Sequence, residues 1–179
     1  MSLDDELKRL ALQREQAFEL ALEKLDLEPP DRLLRQLRAY LAEQEDYARI
    51  KQFEEKSVYL VQGSDGIQEL ACDIVRFVSG STLDFKVRME KQQTGWRVAQ
   101  FMFHLRLPTA RMIGMVRIHL NTHRTRDPLI VPRCHIYIGD GKRAHVPFPI
   151  MSPRLTLHLL CNEIEPDIGT CDWAATTEI

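Results

Sequence analysis

The chain has 179 residues, 44% of them hydrophobic, and its 24 Lys and Arg against 26 Asp and Glu give a formal net charge of −2. That length supports one sizeable core with an appendage rather than two full domains. No apolar run reaches the roughly 18 residues of a membrane span, and the charged opening MSLDDELKRL is unlike a secretory signal, so a cytoplasmic protein with no membrane partner is expected.

In chain order, Leu3, Leu7, Leu10, Ala17, Ala21 and Leu25 recur near helical spacing, broken at Arg14, and the stretch stops at EPPD. A second helix is predicted after Pro29 and Pro30, with Asp31 in its first turn and Leu33, Leu37, Tyr40, Leu41, Tyr47, Ile50 and Phe53 on one face. Two readings fit this helical N-terminal hairpin: a cap on the core, or a coiled-coil-like arm for homo- or hetero-oligomer contacts through residues 1–56. After QGSDG, the spacing of Ile67, Leu70, Ala71, Ile74, Val75 and Val78 predicts a third helix, with Ser64 and Asp65 as caps.

Past Gly80 the period changes to two. Leu83, Phe85, Val87 and Met89 alternate with charged residues, and the QQTGW turn leads to Ala99, Phe101, Phe103, Leu105 and Leu107. Two further strands are expected over 112–123 and 131–138, with Val116, Ile118, Leu120, Cys134, Ile136 and Ile138 inward. A last helix is signalled by Ser152 as cap and Pro153 in the first turn, burying Leu157, Leu160, Cys161 and Ile164. The fold class is therefore α+β: a helical hairpin, a helix, an antiparallel four- to five-stranded meander and a C-terminal helix. Its expected divisions are a helical arm at 1–62, an α+β domain at 63–165 and an acidic tail at 166–179.

Charge is segregated along this plan. Residues 1–82 carry 11 positive and 17 negative charges, residues 83–158 carry 13 and 4, and residues 159–179 carry 0 and 5. All six histidines lie in the basic middle segment, and ten of its thirteen cations are arginines, which suit bidentate recognition of phosphate or carboxylate. The acidic flanks could instead neutralise this segment from within the chain.

Strand parity assigns side chains to faces. Opposite the apolar set lie Gln100, His104, Arg106, Arg117, His119, Asn121, His123, Arg133, His135 and Tyr137. If Gly139-Asp140-Gly141 is a three-residue hairpin loop, His135 faces His145 and Tyr137 faces Arg143. A lateral row of His119, His135 and His145, edged by Arg117, Tyr137 and Arg143, then stands on one solvent-facing side.

Three chemistries could use the row. His119, His135 and His145 could supply a metal with imidazole nitrogens, whereas His119 and His123 of the apparent HxxxH lie roughly 13 Å apart along one strand. No second-shell carboxylate is evident for such a site. A metal-independent ribonuclease or phosphodiesterase would use one neutral and one protonated imidazole with arginines on the phosphate. Binding without chemistry asks least of the geometry. A solvated sheet face is the bland alternative.

The four cysteines form no CxxC pair and read as reduced thiols, and Cys134 and His135 point to opposite faces, so they form no dyad. GDGK lacks the P-loop spacing, and GxSxG and GxGxxG are absent. No cofactor is implied. Phe101 and Phe103 share the apolar face with Leu105 and read as core rather than as a base-stacking platform.

The order helix, four-strand meander, proline-containing crossover, helix resembles ubiquitin-conjugating-enzyme-like and RWD-type domains at the level of fold alone. No cysteine lies between the last strand and the last helix, so conjugating activity is not implied. The sequence reading is a non-enzymatic binding or assembly subunit. Its helical arm makes protein contacts, while Arg106, Arg117, His119, Arg133, His135, Tyr137, Arg143 and His145 bind an acidic macromolecule, nucleic acid (RNA) or acidic protein.

Overall fold

The computed structural model describes residues 3–23, 25, 29–64, 66–108, 114–122, 132–139 and 145–166. They form an α+β fold in which helices cover one face of an eight-stranded antiparallel sheet. No described helix is long and apolar enough to cross a membrane.

Helix α1 (Leu3–Glu23) and helix α2 (Pro30–Asp46) are the two expected from the leucine spacing. Proline opens α2 where a missing N–H costs nothing, and Asp31 sits in its first turn. The helix ends sooner than its apolar spacing implied. Ala48 adopts a left-handed φ of 55°, its N–H donates to the Glu45 carbonyl at 2.8 Å, and the Arg49 N–H donates to that of Gln44 at 3.0 Å. No Gly or Asn marks this stop, which is why the helical reading ran on through Ile50 and Phe53. Replacing Ala48 with Gly should relieve the left-handed strain at the cost of a looser unfolded chain, a net gain of about 0.5–1 kcal/mol in chemical denaturation.

The chain then enters the sheet. Strand β1 (Ile50–Gln52), a 3-10 turn at Glu55–Ser57 and strand β2 (Val58–Gln62) precede strand β3 (Ile67–Phe77). β1 and β2 share one edge of β3, with Ile50 opposite Phe77 and Leu60 opposite Leu70. The third helix expected over this stretch is thus an 11-residue strand. A β-bulge explains the misreading: Cys72 pairs with Phe85 and Val75 with Leu83, so two residues of β3 stand against one of its partner. The buried positions Leu70, Cys72, Val75 and Phe77 therefore slip phase midway, and with Ala71 they imitate helical spacing. Val78 and Ile74, which the helix would have buried, are exposed.

Strands β4 (Thr82–Gln92), β5 (Gly95–Arg106), β6 (Met115–Asn121), β7 (Cys134–Ile138) and β8 (Val146–Pro147) continue as a meander. The sheet therefore has eight strands where four or five were expected. The segment expected to be a helix directly before the meander belongs to it, so the element order behind the resemblance to ubiquitin-conjugating-enzyme-like and RWD-type domains does not hold.

Helix α3 (Pro153–Leu159) is capped as predicted, the Ser152 hydroxyl oxygen accepting from the Leu155 N–H at 3.2 Å, and continues as one π-helical turn through Ile164. Leu33, Leu37 and Leu41 of α2 and Leu157, Leu160 and Cys161 of the last helix close over the apolar side of the sheet. Phe103 is fully buried there, stacked on Phe85 at 5.0 Å and edge-on to Phe101 at 5.4 Å, so these rings are core. The buried Glu165 carboxylate accepts from the Ser79 and Ser81 hydroxyls, tying the last turn to the bend before β4.

Candidate functional site

Covering one face with helices leaves the polar residues of β4 to β8 on the other. Across β6 and β7, Arg117 pairs with Tyr137 and His119 with His135, the pairing that equal parity allowed. On the other side of β6, Arg117 pairs with His104, and His104 pairs with Asp84 of β4. His104, His119, His135 and His145 thus share a face with Tyr137, opposite Ile118 and Cys134.

The β7–β8 register differs from that of a three-residue GDG loop. Ile136 pairs with Val146 and His135 with Pro147, two positions beyond the expected partners. A slip of two preserves parity, so His145 stays on the predicted face but moves one step toward Tyr137. Its ring centroid lies 4.3 Å from that of Tyr137 and 4.6 Å from that of His135. Arg143, His123, Asp140 and Gly141 lie outside the described residues.

The rings form a continuous layer, with His119 at 5.4 Å from both His135 and Tyr137 and at 5.2 Å from His104. His135 is only 6% exposed, so the centre of the row is buried among its neighbours rather than solvent-facing. Its Nδ1 lies 2.5 Å from the Pro132 carbonyl oxygen. That oxygen can only accept, so Nδ1 carries the proton and Nε2 holds the bare lone pair.

A second chain of contacts was not legible in the sequence. Asp84 Oδ2 lies 3.3 Å from His104 Nδ1, and His104 Nε2 lies 3.0 Å from His119 Nε2. A carboxylate therefore does stand behind the row, through His104. With both rings neutral, His104 Nδ1–H donates to Asp84 and His104 Nε2 accepts from His119. Neutrality follows from the surroundings. Burial, then the His104, His135 and Arg117 neighbours, pushes His119 down to about 3. Burial also lowers His104 against the opposing pull of Asp84, and lowers His135 against that of the Pro132 carbonyl. At neutral pH His104, His119 and His135 are polar aromatic rings rather than cations.

The arginines divide. Arg106 is held by Asp84. Arg133 turns away from the row toward α1, where it pairs with Glu15 at 3.1 Å and with Glu19, lies 3.8 Å over the Phe18 ring and donates to the Thr122 carbonyl at 2.5 Å. Here the acidic arm does neutralise part of the basic segment. Arg117, with Nε against Met115 Sδ at 2.6 Å, has no carboxylate partner among the described residues.

Cys134 is buried and its thiol is pushed up to about 12 by desolvation, consistent with a core residue rather than a nucleophile. A separate cavity of about 500 Å³ lies between α2 and α3. Within it the Tyr40 hydroxyl meets Asn162 and, at 3.3 Å, His158 Nδ1. This was not foreseen, because its residues come from helices distant in sequence. Among the described residues no three His, Cys, Asp or Glu side chains converge as a metal-binding group. Comparison with family models, curated proteins and solved structures finds no match.

Proposed function

We propose that this chain is a binding or assembly subunit that holds an acidic macromolecule on the uncovered face of its sheet. The observation that carries the reading is the continuous ring layer of His119, His135, Tyr137 and His145, flanked by Arg117, on the side that α2 and α3 leave open. The half-buried His119, Tyr137 and His145 rings, set around the buried His135, offer ring surface and hydrogen bonds to planar groups, and an adjacent guanidinium offers charge, a combination that fits single-stranded nucleic acid better than an acidic protein. The exposed first turns of α1, with Leu7, Leu10 and Leu12, provide an arm for protein contacts.

The phosphodiesterase alternative is less well supported. That chemistry needs one protonated imidazole as acid, whereas burial lowers both His119 and His135 and favours their neutral forms.

The test is a fluorescence titration of single-stranded RNA with the full chain between about 50 and 200 mM salt. Affinity should fall steeply with salt, and Arg117→Ala should weaken binding and reduce the salt slope by about one. An RNA that fails to bind at low salt, together with no acidic protein co-purifying from the native host, would overturn the reading. RNA cleavage in EDTA that His119→Ala abolishes would favour the enzyme instead.

A further inference from the structure

Two ring nitrogens in the row are buried without a hydrogen-bond partner among the described residues: His135 Nε2 and His145 Nδ1. Buried polar atoms in native proteins are nearly always paired, so two adjacent orphans need a physical account. The His135 atom is the more informative. The residue is 6% exposed, and the Pro132 carbonyl fixes the proton on Nδ1, leaving the Nε2 lone pair buried and without a partner among the described residues. A backbone carbonyl that holds one imidazole N–H while the other nitrogen stays bare is the usual outer arrangement of a metal-ligating histidine.

We propose that His135 Nε2 and His145 Nδ1 form a two-imidazole site for a divalent transition-metal ion. The ring spacing fits. Two imidazoles on one tetrahedral ion, with metal–nitrogen bonds of about 2.0 Å, have centroids roughly 5 Å apart, and these two lie at 4.6 Å with planes 77° apart. Tyr137 walls the pair at 5.1 and 4.3 Å. Donors that are all imidazole nitrogen suit zinc, copper or nickel and do not suit magnesium or calcium, which take oxygen. No third His, Cys, Asp or Glu side chain converges with them among the described residues, so water or a bound ligand completes the coordination. The inference stands independently of the macromolecule-binding reading.

The experiment uses the full chain without an affinity tag, stripped with EDTA and dialysed, and titrated with Zn²⁺ by calorimetry while long-range ¹H–¹⁵N spectra follow the imidazole nitrogens. Saturation at one ion per chain is expected, with the His135 Nε2 resonance shifting and His135 Nδ1 keeping its proton. His135→Ala and His145→Ala should each weaken binding more than roughly tenfold, since disturbing even an outer partner of a metal ligand costs that much, while His158→Ala should bind as the parent does. If His135→Ala does not fold, the less buried His145→Ala and the Nε2 shift in the parent carry the test. Failure to bind Zn²⁺, Ni²⁺ or Cu²⁺, retention undiminished in a folded His145→Ala variant, or binding that leaves the His135 Nε2 resonance in place would overturn the site. The last outcome would place the metal elsewhere on the chain, and the first would leave a bridging water as the partner of both nitrogens.

Discussion

Lowering the pH of the EDTA-treated protein from 7 to about 4.5 is expected to lower its melting temperature by several degrees, with His119 responsible for a large share of the loss. In the folded chain this ring is pushed down to about 3, first by burial and then by His104, His135 and Arg117, while in the unfolded chain it titrates near 6.5. Between those values the unfolded state binds the extra proton. The stabilisation is therefore fully present above about 6.5 and drains away as pH falls toward 3. A pKa unit is worth about 1.4 kcal/mol, and the ring keeps some solvent contact, so the loss by pH 4.5 is on the order of 2 kcal/mol. His104 and His135 shift in the same direction and add to it. Carboxylates also destabilise folded proteins in acid, so the informative quantity is the difference from His119→Gln, whose melting curve should depend less on pH over this range. Equal slopes for parent and variant would mean that His119 titrates normally and that the row is open to water.

The polar face was readable because alternation along β5, β6 and β7 needs no knowledge of partners. Once Phe103, Ile118 and Cys134 are inward, His104, His119 and His135 must point the other way. What failed was every feature that depends on a break in the alternation. In β3 the bulge between Cys72 and Val75 turned a strand into an apparent helix. In β4 and β5 the two-residue turn pairs Gln92 with Gly95, and the same register would set Asp84 opposite the inward Phe103. An extra residue near Ala99 shifts the pairing so that Asp84 meets His104. The carboxylate behind the row was hidden by that bulge. Only the consecutive Val98 and Ala99, both buried, hinted at the slip in phase. The end of α2 was invisible for a different reason: Ala48 takes a conformation that sequence reading assigns to glycine.

Replacing Arg133 with Ala is expected to release α1 from the sheet and lower stability by about 2–3 kcal/mol, below the range for a fully buried ion pair because Glu19 remains half-exposed. Parity placed Arg133 on the binding face, but its guanidinium is one of the most heavily used groups in the chain. It joins Glu15, Glu19 and Phe18 of α1 to the Thr122 carbonyl at the end of β6. Phe18 also packs against the core edge, so its ring and the arginine dock the helix through one contact. With Ala at 133, Glu15 loses its cation, Phe18 loses the plane above it and the Thr122 carbonyl loses its donor. Lys is not an adequate substitute, because one ammonium cannot reproduce the planar stack and the several directed N–H groups at once. The expected readout is rapid tryptic cleavage at Lys8, Arg9 and Arg14 in Arg133→Ala while the sheet and α2 stay resistant, with Arg133→Lys intermediate. Unchanged cleavage would mean that the remaining α1 contacts hold the helix without Arg133. Undocking that also strengthened RNA binding would show the acidic arm competing for the basic face, because Glu15 and Glu19 would then no longer lie beside it.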